Sequence, residues 1–385
     1  MRPRPVLIAV AAFVAVTALA GMAKREEITR LLAVNALFEP DRIVHNFSNM
    51  GTMFHTTPMP LAAHQAEPLP TAPRPATLPP GLEDWIAARG VTSLVALHRG
   101  EVVYEGYFRG TGRDDLRVSW SVAKSFLAAL FGIFVENGAI ASLDDPVTKY
   151  APALSGSAYD GASIRNVLNM ASGVAFNEDY ADFWSDINRM GRVIALGGSL
   201  DDFAASLTER RAEPGAAFHY VSIDTHVLGM VLRGATGRSV PELMAEHIFA
   251  PLGLEADPYF LADGTGAAFV LGGLNMTARD YARFGQLILQ GGRWGEVQVV
   301  PENWVMEMTA ESAPGERPRY GYQWWLPNDG RPGEVFAQGL YGQYIWIDPR
   351  NDAVVAMTSA DLGFLDPGVQ QDSIEKLRMI GETLR

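Results

Sequence analysis

Two kinds of hydrophobic pattern organise the chain from Gly81 onward. VTSLVALHRGEVVYEGYF holds two alternating apolar runs about the short turn Arg99-Gly100, which predicts an antiparallel hairpin. GEVFAQG, QYIWID and AVVAMTS near the far end are three further strand-type runs. Between these groups SWSVAKSFLAALFGIFVENG is apolar on nearly every side after its first turn and is stopped by Asn137-Gly138. A helix hydrophobic all round is a buried one. The stretch from about Asp144 to Leu289 is mostly helical in pattern, with many Gly and Pro breaks. The closing segment QQDSIEKLRMIGETLR is amphipathic, and its charged residues read as a solvated helix face. Two strands early and three late predict one antiparallel sheet assembled from both chain ends. A terminal helix covers one face and a mostly helical insertion sits beside it, an α+β class of fold. No repeat of 20–50 residues is present.

Ahead of this domain the pattern changes. Arg2 and Arg4 precede an uncharged run from Val6 to Ala23, and KREE follows. The run fits a secretory signal and is also about long enough to span a bilayer, for which roughly 17–25 residues are needed. The flanking arginines favour an N-terminus inside and a body exported to the periplasm or outer face. Lys24-Arg25 crowds the cleavage site and favours a retained anchor over a removed signal. Residues 24–80 follow, with a short helical pattern (EEITRLLAVNAL) and then a proline-rich stretch. The prolines make that stretch an extended tether or a wrap over the domain, which itself spans 81–385.

Composition narrows the function. A formal charge of −13 argues against a nucleic-acid partner. With no cysteine there is no thiolate nucleophile and no disulfide frame. Seven scattered histidines show no HExxH spacing, so neither a metal nor another cofactor is expected. The oligomeric state is not encoded in any of these features.

Ser121 and Lys124 form a Ser-x-x-Lys pair at the mouth of the buried helix. A serine needs a base within hydrogen-bond reach, and a residue three positions on lies on the same helix face. Desolvation lowers a lysine pKa, and Phe126, Leu127, Leu130, Phe131 and Phe134 supply an apolar setting. The pattern alone leaves two readings, a catalytic pair or a lysine that snorkels outward and stays charged. A second copy, Ser373 to Lys376, lies in the charged closing segment and lacks that setting. Tyr220-Val221-Ser222 stands where a loop enters a packed helix. Gly339-Leu340-Tyr341-Gly342 marks a strand edge that a substrate backbone can approach, with a main-chain N–H as a second oxyanion donor.

These stretches occur in the order and rough spacing of the serine β-lactamase and penicillin-binding protein superfamily, whose nucleophile motif is Ser-x-x-Lys. LNMASGVAF, PLGLEADPY and GGLNMTARDYARFG also resemble phrases of class C-type β-lactamases and related esterases. The resemblance covers most of the chain from about Gly81. It implies Ser121 as acylated nucleophile, Lys124 as base and Tyr220 as proton-relaying tyrosine, acting on a small amide or ester. The chain departs from the superfamily twice: Ser222 replaces the asparagine of Tyr-x-Asn, and Ala337-Gln338-Gly339, or Gly339-Leu340-Tyr341-Gly342, stands in place of Lys-Thr-Gly. Loss of that lysine weakens recognition of penicillin-like anions. NEDYADFWSD resembles the subgroup of aminohexanoate-oligomer hydrolases, which implies substrate contacts from Tyr180 and Asp186. Two other functions compete, a β-lactamase or D-alanyl-D-alanine carboxypeptidase and a catalytically silent envelope scaffold.

Overall fold

The computed structural model describes residues 25–59, 61, 68–74, 76–316 and 318–383. The apolar run Val6–Ala23 lies outside the described residues. Among them, no helix is long and apolar enough to cross a membrane.

Strands are β1 (His55–Pro58), β2 (Val91–His98), β3 (Glu101–Tyr107), β4 (Arg117–Val118), β5 (Tyr259–Ala262), β6 (Leu274–Met276), β7 (Arg293–Trp294), β8 (Val297–Gln298), β9 (Tyr320–Gly321), β10 (Trp324–Trp325), β11 (Val335–Gly339), β12 (Gln343–Asp348) and β13 (Ala353–Ser359). The main sheet is ordered β3-β2-β13-β12-β11-β10-β9 with every pair antiparallel. Strand β2, from the start of the domain, pairs with β13, from its end, so chain closure builds the sheet centre. The expected five strands are present, and β9 and β10 extend them by two-residue pairings too short to show an alternation.

Strands β2, β12 and β13 are buried on both faces, which makes them nearly continuous apolar runs. One face packs Leu94, Val355 and Trp346 under Ile374, Leu377 and Ile380 of the final helix Val369–Thr383, with Trp85 and Ile86 of the helix Leu82–Ala88 beside them. This closing helix has a buried face that includes Ser373, which is hydrogen-bonded to Tyr344. The solvated reading of Ser373 is corrected on that point: it is a packing serine against the sheet. The other face carries Val95, Ile345 and Val354 against the helix Ala278–Leu289, and beyond it the helix Ala123–Glu136. As its pattern requires, that second helix is buried from Ala123 to Gly132 and again at Phe134.

Its packing leaves a testable mark. A Cβ on Gly132 would fall 2.1 Å from the Trp304 ring, whose indole N–H donates to Ala128 O at 2.9 Å. Gly132→Ala therefore forces two buried elements apart. We expect a loss of about 1–3 kcal/mol, read as a shift of the urea midpoint with unchanged slope.

A second sheet, β1-β5-β6-β4, has no counterpart in the sequence reading because its strands are two to four residues long. It ties the N-terminal arm to the domain. Arg117 of β4, buried, donates to Val44 O at 2.6 Å and Ser48 Oγ at 2.8 Å of the helix Ile43–Ser48. Within the proline-rich stretch, the main-chain N–H groups of Ala72 and Ala76 donate to Val102 O and Val103 O of β3.

Candidate active site

Ser121 sits in a single 3-10 turn, Trp120–Val122, that leads directly into the helix Ala123–Glu136. Trp120 before it has φ of +43°, a left-handed conformation rare for a bulky residue and typical of strained functional turns. The turn is held from two sides. Phe38, Phe47 and Tyr341 surround the indole at centroid distances of 5.9, 5.5 and 6.3 Å. Behind it lies Gly339, where a Cβ would stand 2.4 Å from Ser119 O and 3.1 Å from Ser121 N. On the sequence this glycine admits a substrate backbone; in the fold the space it leaves is filled by the turn from Ser119 to Ser121.

Lys124, one turn on, is 2 % exposed, and its Nζ donates to Leu271 O at 3.1 Å. The amine lies 5.5 Å from the ring centroid of Tyr220, whose phenol is near enough to Ser121 and Ser222 for both to pull its pKa down against burial. Burial pulls the lysine pKa down to about 7, while the negative charges of Glu178 and Asp224 pull it partway back. Near neutral pH a sizeable share of this amine is thus free to accept a proton. Tyr220, stacked 5.5 Å from Trp325, has its pKa raised by burial and then by Glu178, so it rests as a neutral phenol.

Two carboxyl groups that sequence reasoning passed over complete the network. Glu178 accepts from Ser222 N at 3.0 Å, from Tyr180 Oη at 2.6 Å and from the Ser222 hydroxyl. Asp224, buried on the helix Ser222–Thr236, accepts from Tyr159 Oη at 2.7 Å and is raised by desolvation to about 7. Glu178 lies inside NEDY, but among Asp179, Asp182 and Asp186 no pattern marks it out. Asp224 reads as a first-turn helix acid, an ordinary placement.

Ser121 opens into a cleft of about 400 Å³ that Tyr180, Ser222, Leu340 and Tyr341 also line. Its walls are otherwise mainly apolar, with Val34, Leu37, Phe38, Met50 and Phe54 from the N-terminal arm opposite Ile187, Met190 and Ile194. Asp186 does not line this cleft; its carboxylate takes Asn177 N–H at 2.9 Å and Arg189 at 2.7 Å. Gly342 turns β11 into β12 at φ +84°, with a would-be Cβ 3.0 Å from Ser359 Cβ. At the place of the superfamily lysine stands Ala337, buried in β11, and its neighbour Gln338 donates to Tyr344 Oη at 3.1 Å, so neither brings a positive charge. Among the described residues no cluster could hold a metal ion.

Against known proteins, the Beta-lactamase family matches residues 83–375. A 6-aminohexanoate-dimer hydrolase of Paenarthrobacter ureafaciens is 33% identical over 314 residues, 77% of this chain and 80% of that one. A candidate 6-aminohexanoate-dimer hydrolase structure from Bacillus anthracis superposes with a TM-score of 0.80 at 23% identity, covering 90% of this chain and 96% of that one. A family VIII carboxylesterase superposes at 0.58 with 18% identity over 79% of this chain and 98% of that one. The chain belongs to the β-lactamase family, within the β-lactamase and penicillin-binding superfamily, and is close to 6-aminohexanoate-dimer hydrolases. Family membership supports serine-hydrolase chemistry through an acyl-enzyme.

The charge around Lys124 provides a test of whether this amine governs the pH response. Glu178→Gln removes the larger of the two carboxylate effects that hold the lysine pKa up. The amine pKa then falls further, so the rising acid limb of the kcat/KM profile moves to lower pH. A rate profile of the variant checks this; an unmoved limb assigns it to another group.

Proposed function

We propose that the protein is a serine hydrolase of small amides or esters in which Ser121, Lys124 and Tyr220 carry the chemistry. The Ser121 hydroxyl attacks the carbonyl carbon as the free Lys124 amine takes its proton. The new oxyanion is held by the Ser121 N–H, at a helix start, and by the Leu340 N–H that follows Gly339. The intermediate collapses as the Tyr220 phenol hands its proton to the leaving nitrogen or oxygen and is refilled from the Lys124 ammonium. Water then attacks the acyl-enzyme by the same relay in reverse and releases the acid. The neutral resting state of Tyr220 suits a relay that passes protons on without becoming a base itself.

The observation that carries this reading is the burial of Lys124, three residues after Ser121, with its amine 5.5 Å from the Tyr220 ring. Tyr180, bonded to Glu178 at the cleft wall, serves as a contact for the substrate's scissile group, with Ser222 beside it. Ala337 in place of a cation, with an uncharged Gln338 beside it, disfavours a β-lactamase or carboxypeptidase that must seat a carboxylate. The leader run supports an exported enzyme held at the membrane, with the catalytic domain outside the cytoplasm.

The test is fluorophosphonate labelling of the full chain with mapping of the modified peptide, beside turnover of a p-nitrophenyl ester and nitrocefin. Label on Ser121 with ester turnover well above nitrocefin turnover is expected. Label elsewhere moves the nucleophile to another residue, no label points to the silent scaffold, and rapid nitrocefin hydrolysis points to the β-lactamase.

A further inference from the structure

Large apolar side chains scattered singly over a surface need no explanation, but a contiguous patch does. Ten such side chains are exposed among the described residues, and five of them, Ile28, Leu32, Phe183, Trp184 and Leu196, sit on or next to the helices Arg25–Asn35 and Asp186–Ala195, both of which supply cleft-lining side chains. Trp184 is 75 % exposed and Leu32 62 %. Two more, Leu362 and Leu365, flank Phe364, which lies 4.5 Å from cleft-lining Tyr341 on the other side.

Contacts tie together the segments that carry these five, and two of the five touch directly. Phe183 lines the cleft and meets Trp184 edge-on at 4.9 Å. The Arg192 guanidinium sits 4.2 Å over the Phe183 ring and donates to Phe183 O at 2.7 Å. Leu196 follows Arg192 by four residues at the end of the helix Asp186–Ala195, on the same side. At that end Arg30 Nε donates to Ala195 O at 3.2 Å, which docks the helix Arg25–Asn35. Ile28 and Leu32 stand four residues apart on that helix and share a face.

What covers this rim follows from where the chain comes from. The uncharged run Val6–Ala23 ends with only Lys24 before the helix Arg25–Asn35. At 1.5 Å per residue, Leu32 lies roughly 10 Å from the start of that helix. A bilayer that holds the run holds Ile28 and Leu32 at its surface. An exposed tryptophan and phenylalanine beside an arginine have the chemistry of the lipid headgroup boundary.

We propose that the cleft mouth is a membrane-docking face: Ile28, Leu32, Trp184 and Leu196 rest in the interface of a lipid bilayer. The apolar cleft then opens toward the lipid phase, and its substrates are amphiphilic amides or esters whose apolar chain enters from the membrane. This rests on the reading of the protein as a membrane-held hydrolase, so the experiment measures lipid contact without turnover.

Because the chain has no cysteine, single labels are unambiguous. Trp184→Cys and Leu32→Cys, with Met306→Cys as an exposed control on the helix Glu302–Met308, are each coupled to a polarity-sensitive fluorophore. The full chain is reconstituted in phosphatidylethanolamine–phosphatidylglycerol vesicles, and a circular-dichroism melt confirms the fold of each variant. Labels at 184 and 32 are expected to lose most of their emission to nitroxide-bearing lipids and little to aqueous iodide, with the reverse at 306. Labels at 184 and 32 that respond like the one at 306 overturn the proposal. So does shielding from both quenchers, which means that protein, such as a second copy of this chain, covers the face.

Discussion

Ser121→Ala lowers kcat/KM for a p-nitrophenyl ester by about 10⁴-fold or more and abolishes fluorophosphonate labelling, while the thermal melt stays near that of the parent. The size of the loss follows from the loss of the covalent route. Without the hydroxyl, Lys124 and the oxyanion donors can assist only direct attack by water, and such remnants retain a small part of the acceleration. The melt is insulated because Ser121 is half-buried at the cleft floor and its side chain fills no core volume. What Ser121→Ala leaves behind is Ser222 still bonded to Glu178 through its main-chain N–H and its hydroxyl. Steady-state kinetics with active-site titration of the parent measures the effect. Turnover that survives in the variant moves the nucleophile elsewhere.

The elements that sequence revealed were those with a strong local period or an all-apolar run. The hairpin about Arg99-Gly100, strands β11 to β13 and the buried helix after Ser121 declare themselves because burial selects every side chain in them. Strands β1, β4, β5 and β6 did not, since two to four residues carry no period and their pairing depends on partners up to two hundred positions away. The site divides in the same way. Ser121 and Lys124 are three residues apart, so helix geometry alone brings them together. Glu178 reaches Ser222 across 44 positions and Tyr159 reaches Asp224 across 65, distances that only the folded chain closes. The N-terminal arm was the largest surprise. Leu37, Phe38, Met50 and Phe54 form a wall of the cleft, yet in sequence they belong to a segment that precedes the domain.

Lys124→Met separates chemistry from stability in one substitution. Methionine fills much the same volume but offers no base, so kcat/KM falls by about 10²–10⁴-fold, the usual worth of a positioned base. Stability moves the opposite way. In the parent, the amine is taken out of water for one hydrogen bond, to Leu271 O, and its pKa drops from 10.5 to about 7. A buried charge of this kind is commonly replaced by an apolar group of equal size with no loss or with a gain. The pH dependence identifies the cause. Between pH 7 and 10.5 the unfolded parent binds a proton at this lysine that the folded parent does not, so parent stability rises with pH through that window. Below pH 7 both states are protonated and the folded state bears the full penalty. The advantage of Lys124→Met is therefore greatest at or below pH 7 and shrinks toward pH 10, as urea midpoints of the two proteins across that range will show. A parent that outlasts the variant at every pH means the amine holds the cleft floor together, and its burial then needs no chemical purpose.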